Sequence, residues 1–262
     1  MLKGKCAVIT GSTAGQGALM AAALAAQGCN IVLNGLGDPA AIENQRATLE
    51  RETGVDVSYH PADLSVEEQV ASLIAFALER HGAVDILINN AVVRHFAPVE
   101  EFESAHWTQE LAVNLSSAFY AIRAALPGMR AKGWGRIINL SSNHGLFGAA
   151  NRVGYVTTKT ALIGLTRAVA METVGTQITC NAICPSAMLG INSQTKIDDL
   201  MKREQISREA ATAKFLSERK TTRFVETLPA VVLFLCSEAG RDMTGVALPV
   251  DLGSTAGRPS SL

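Results

Sequence analysis

Along almost the whole chain, short apolar runs alternate with longer stretches of helical periodicity. CAVIT at 6 to 10 precedes a helical stretch from Ala14 to Gln27, NIVLN precedes Ala40 to Thr53, VDVSYH precedes Val66 to Arg80, and VDILINN precedes Trp107 to Ala131. GRIINLS, a helix from Arg152 to Val174, QITCNAICP, a helix near Leu228 to Cys236 and VALPV complete the series. The strand-like runs lack polar alternation, as expected when helices cover both faces of a parallel sheet. The pattern predicts one α/β domain over residues 1 to 262, a doubly wound, Rossmann-like sheet of about seven parallel strands with helices on both faces. Asn192 to Lys220, the longest charged stretch, falls between two strand-like runs. It reads either as a solvated helical pair or as a helical lid over a site, at about 192 to 220.

Composition narrows the class. Hydrophobic residues make up 48% and charged residues 18%, enough apolar material for a sizeable core. With 23 basic and 24 acidic side chains and no basic run, nucleic acid is not an expected partner. The N-terminal MLKGKCAVIT turns polar at Gly11, which fits neither a signal peptide nor a membrane span, so the expectation is a soluble cytoplasmic protein. The five cysteines show no metal-ligand spacing and read as reduced core thiols; no protein-built metal site is expected.

TGSTAGQG, residues 10 to 17, lies between the first strand and the first helix. Gly11 permits the tight turn, Gly15 a close approach to a pyrophosphate and Gly17 close helix packing, with helix N-terminal amides facing the phosphate. The segment after the second strand, NGLGD at 34 to 38, has no Arg or Lys for a 2'-phosphate, which favours NAD over NADP. Asp38 or Leu36 occupies the ribose-facing place.

Tyr155 and Lys159, four apart on a helical stretch, share one face. A tyrosine becomes a base near neutral pH only when a cation lowers its pKa from about 10, and Lys159 is that cation. Ser142 follows the GRIINLS strand, where its hydroxyl can bind a substrate oxygen, and Asn114 places an amide inside an apolar helix, where it can hold a water next to Lys159. The set suits proton transfer at an alcohol or ketone oxygen while hydride moves at carbon.

TGSTAGQG, NNA at 89 to 91, Asn114, Ser142, Tyr155 with Lys159, and NAICP at 181 to 185 together resemble the short-chain dehydrogenase/reductase family across essentially the whole chain. The resemblance implies an oxidoreductase with Asn114, Ser142, Tyr155 and Lys159 as its catalytic set. It implies cofactor contacts from Gly11, Thr13, Gly15, Gln16 and Gly17 in the first loop. Further contacts come from Leu36, Asp63, Leu64, Asn90 and Pro185, besides Tyr155 and Lys159. It also implies a homotetramer.

Within the family, LAAQGCNIVLNGLGD, GRIINLSSNHGL and FLCSEAGRDMTG resemble the D-3-hydroxybutyrate dehydrogenases, which implies NAD and a small 3-hydroxy acid/3-keto acid pair such as D-3-hydroxybutyrate and acetoacetate. His144 then matches a carboxylate-binding residue. Arg94, Arg152 and Lys196 depart from that group's pattern and make the region more cationic, which favours an anionic substrate. They read either as carboxylate ligands or as exposed rim residues. Val92, Ser186, Ala187 and Leu252 are further departures, and the absence of a Trp at 187 enlarges the expected site. Two alternatives therefore stand beside the hydroxy acid reading: a bulkier or differently charged alcohol or ketone, and a dinucleotide-binding protein without catalysis.

Overall fold

Among the described residues, seven runs form the strands β1 (Cys6–Ile9), β2 (Asn30–Asn34), β3 (Val57–His60), β4 (Ile86–Asn89), β5 (Gly135–Leu140), β6 (Ile178–Pro185) and β7 (Ala247–Val250). Between them run α1 (Gly15–Ala26), α2 (Pro39–Thr53), α3 (Glu67–His81), α4 (Ser104–Leu111), α5 (Ser117–Lys132), α6 (Val153–Glu172), α7 (Ile191–Glu204), α8 (Arg208–Arg219) and α9 (Thr227–Cys236). The computed structural model describes residues 2–186, 191–219 and 226–257, without the side chains of 191–196 and 217–219.

All seven strands pair in parallel in the order β3-β2-β1-β4-β5-β6-β7. The side chains of β1, β4 and β5 are buried throughout, because both faces of the sheet are covered. On one face, Met20 and Leu24 of α1 and Val232 and Leu235 of α9 pack on Ile9, Ile31 and Ile88. On the other, Leu73 and Ile74 of α3, Ala125 and Met129 of α5 and Val169 of α6 pack on Val8, Leu87 and Ile137. The five cysteines are buried and unpaired, as their apolar surroundings predict.

Strand order reverses between β1 and β4, so the chain leaves those two strands in opposite directions and opens a crevice at their carboxyl ends. Gly11, Asn90, Ser142 and Pro185 all follow or end strands at that edge. The stretch anticipated as one helix from Trp107 to Ala131 is α4 and α5 joined by a π-helical turn at Ala112–Ser116, which contains Asn114. The charged stretch forms α7 and α8, which meet through Ile197, Leu200, Ala211 and Phe215. Position 187 and the Lys196 side chain lie outside the described residues. Among the described residues no helix is long and apolar enough to cross a membrane.

Candidate active site

The first half of the site is built mainly from backbone. α1 starts at Gly15 with no side chain among the described residues capping it, so its first amides remain available to an anion. Gly11 has φ +62°, and a Cβ there would come within 2.9 Å of Ala91 Cα. A Cβ on Gly17 would stand 2.2 Å from the Gly11 carbonyl oxygen, whereas one on Gly15, at φ +58°, would have nothing within 4 Å among the described residues. Tightness at 11 and 17 shapes the loop, and openness at 15 leaves room for a phosphate. Asn90 fastens the loop to β4: its Nδ2 donates to the Thr10 and Gly11 carbonyls, both at 2.9 Å. Thr13 packs against Gly35 so closely that a Cβ there would lie 2.3 Å from Thr13 Oγ1. Gln16 Oε1 is buried with no partner among the described residues, an acceptor that a ligand donor would satisfy.

After β2, Asp38 is committed to the helix that follows: its carboxylate accepts from the Ala40 and Ala41 amides at 3.4 and 3.1 Å and caps α2. Leu36 is 69% exposed at the same turn. Asp63, after β3, accepts from the Ser65 amide and hydroxyl at 2.8 and 2.7 Å, and these bonds hold its carboxyl below the usual range. Leu64 beside it is buried, and half-buried Pro185 ends β6. An uncapped helix start, an open glycine, an orphaned acceptor and no cation after β2 fit a dinucleotide.

The second half is built from side chains. α6 carries Tyr155 and Lys159, both buried. Lys159 Nζ donates to the Leu140 carbonyl at 2.6 Å and lies 5.9 Å from the Tyr155 ring centroid. Burial, with the nearby Arg94 charge adding to it, pulls the Lys159 ammonium down to about 7. Ser142, two residues past the end of β5, is buried; its Oγ accepts from the His144 amide at 3.1 Å and donates to Asn143 Oδ1 at 3.1 Å. The tight turn at 143–145 presses on α6, where a Cβ on Gly145 would lie 2.8 Å from the Lys159 carbonyl oxygen.

Asn114 is buried, and its amide serves the Val93 backbone, accepting from the amide at 2.8 Å and donating to the carbonyl at 2.9 Å. The π-turn aims this side chain across the helix into the loop after β4, a distortion that recurs at functional sites.

Two of the four anticipated carboxylate ligands, Arg94 and His144, lie beside Tyr155, and the charge of Arg152 acts on His144. The Arg94 guanidinium lies 5.1 Å from the Tyr155 ring centroid, and the His144 ring 6.2 Å from it. Burial, Arg152 and Arg94 in that order keep His144 below the usual imidazole range, and its Nδ1 is buried without a partner among the described residues. Arg152 lies over the Phe96 ring at 4.7 Å, and a parallel bridge between Ala97 and Arg152 ties the two loops together. Phe96 is exposed.

Sequence reasoning passed over Glu110, which is fully buried beside these loops. Its signal was an acid within the mostly apolar run QELAVNL, four residues before Asn114 and so on the same helical face.

A family model described as short chain dehydrogenase matches residues 5–200. The chain is 41% identical over 259 residues to D-beta-hydroxybutyrate dehydrogenase of Cupriavidus necator, covering 98% of this chain and 100% of that one. It is 38% identical to D-beta-hydroxybutyrate dehydrogenase of Rhizobium meliloti, with 96% and 99% covered. In structure it is similar to L-sorbose reductase of Gluconobacter frateurii, solved with NADPH and L-sorbose, at TM-score 0.90 and 28% identity over 96% of each chain.

Proposed function

The chain belongs to the short-chain dehydrogenase/reductase family, whose members use a nicotinamide dinucleotide, and from that premise we propose that it is an NAD-dependent dehydrogenase of a small 3-hydroxy acid, with D-3-hydroxybutyrate and acetoacetate as the first pair to test. The observation that carries the substrate reading is the placing of Arg94 and His144 beside Tyr155, with the charge of Arg152 acting on His144. Arg94 and Arg152 supply fixed positive charge, and a guanidinium matches a carboxylate in two parallel hydrogen bonds. The Lys196 side chain belongs to the same proposal, as does the role of α7 and α8 as a lid.

When bound, the oxidised nicotinamide supplies the hydride acceptor. The chain's own residues handle the proton. Tyr155 takes it from the substrate hydroxyl, and Ser142 holds the same oxygen through its Oγ. Lys159, buried and anchored on the Leu140 carbonyl, favours the tyrosinate by its charge. Asn114 sets the turn at Val93 and supports a relay water from Lys159. Gly11, Thr13, Gly15, Gln16 and Gly17 bind the pyrophosphate half, Leu36, Asp63 and Leu64 the adenosine half, and Asn90 and Pro185 the nicotinamide side. The choice of NAD rests on the absence of a cation from 34–38 and from the glycine loop. A tetramer belongs to the proposal as well; exposed Phe119 on α5 and Phe234 on α9 offer apolar contact surface.

A bulkier hydroxy acid is the second reading. It is favoured by Ala187, a small residue where the pattern of the hydroxybutyrate dehydrogenases has Trp.

The test is NADH formation from NAD and D-3-hydroxybutyrate, beside longer hydroxy acids, neutral alcohols and NADP, with Tyr155→Phe as control. The expected result is turnover restricted to hydroxy acids, preferring NAD and lost in the control. Equal rates on neutral alcohols would remove the carboxylate grip from the account. Turnover that persists in Tyr155→Phe would remove the proton chemistry, and absence of turnover on every substrate, with NAD still bound, would favour a non-catalytic role.

A further inference from the structure

Glu110 takes no part in the proton chemistry, yet it touches both sides of the substrate end. Its Oε1 accepts from the His95 amide at 2.6 Å, one residue after Arg94. Its Oε2 is buried without a hydrogen-bond partner among the described residues, and fills the space where a Cβ on Gly154 would come within 2.6 Å. Gly154 directly precedes Tyr155 in the first turn of α6.

Glu110 and Asn114 stand four residues apart and reach the same loop. Asn114 holds both backbone groups of Val93, and Glu110 holds the backbone of His95. Arg94 lies between these two fastened residues, its guanidinium over the Tyr155 ring. A buried carboxyl with one unpaired oxygen is costly, and burial pushes this one above the usual carboxylate range despite the opposing influence of the His95 amide, His95, His106 and Arg94. An apolar side chain at 110 would fold at lower cost, so a requirement of packing alone does not account for the acid.

We propose that Glu110 is a positioning residue for substrate recognition, hooking the Arg94 loop to the first turn of the catalytic helix so that the guanidinium stays beside Tyr155. The inference rests on the carboxylate reading above for its consequence, though its geometry can be tested without substrate.

The experiment compares Glu110→Leu, Glu110→Gln and Arg94→Ala by steady-state kinetics and by hydrogen exchange of the His95 amide. Leucine fills the same space without an acceptor; glutamine keeps one. Expected for Glu110→Leu is a KM for the hydroxy acid raised roughly tenfold, about the loss of one charge-assisted hydrogen bond. Its kcat should stay within about threefold of the parent, with NAD affinity unchanged and faster exchange at His95. Glu110→Gln should restore KM and slow exchange. A kcat loss equal to the KM change, or a glutamine variant that behaves like leucine, would overturn the tether. If Glu110→Leu does not fold, exchange in the unaltered protein decides: an unprotected His95 amide ends the proposal and a protected one sustains it. Arg94→Ala with an unchanged KM would sink the carboxylate reading, whatever the exchange data show for Glu110.

Discussion

The two halves of the crevice are made of different material. At the dinucleotide end, the decisive features are glycines, amides and a helix start, and the side chain set after β2 is uncharged except for Asp38, which is spent on capping α2. At the proposed substrate end, Arg94 and His144 from two separate loops lie beside Tyr155, and the residues beneath them (Asn114, Glu110, Gly145) serve to hold those segments in place. A shared ligand can be met by backbone, which every sequence carries, provided small residues let it approach. A substrate must be told from its rivals by groups that only particular side chains possess.

Adding a side chain to the backbone half should have the largest effect. Gly17→Val should abolish measurable dinucleotide binding by calorimetry, a loss on the order of a hundredfold or more, since its Cβ alone would collide with the Gly11 carbonyl oxygen at 2.2 Å. Near-normal binding in that variant would break the contrast.

Removing a side chain from the other half comes next. Arg94→Ala and Arg152→Ala should each raise KM for a hydroxy acid by about 10- to 100-fold with dinucleotide affinity unaltered, the size expected of a charge-assisted contact. Equal weakening of NAD binding would show that the halves are not separable.

Lys159 sharpens the comparison through stability. Its folded-state pKa, about 7, lies below the ordinary lysine value, so between the two the unfolded chain binds more protons and stability rises with pH. Below about 7 the buried charge costs its full amount. Lys159→Met should therefore lose turnover and yet melt several degrees higher at pH 6, with the advantage shrinking toward pH 10. A gain that grows with pH would contradict burial as the cause. The smallest effect should be at Leu36, exposed at the dinucleotide end: Leu36→Ala should change the NAD dissociation constant less than about threefold in a fluorescence titration.

Much of this was legible along the chain. Runs such as CAVIT and GRIINLS announce buried strands because residues covered on both faces need no polar alternation. TGSTAGQG announces its loop because only glycine tolerates both the turn and the approach. The spacing of Tyr155 and Lys159 places them on one face of a helix, and they are both buried there. Asp38 was harder: a carboxylate just after a strand suits a ribose and a helix cap equally in one dimension, and the Ala40 and Ala41 amides claim it. Asn114 was marked as an amide in an apolar helix, but its pairing with Val93 spans 21 positions and depends on a π-turn that no local pattern signals.

By itself, then, the sequence determined the alternation of strands and helices, the glycine loop and the placing of Tyr155 and Lys159 on one helix, because these rest on local periodicity and on what individual side chains permit. Only the tertiary structure decided that Arg94 and His144 meet beside Tyr155, that Asp38 is engaged as a cap and that Glu110 and Asn114 clamp one loop. Those contacts join segments far apart in the chain, and the folded sheet is what brings their ends to one edge.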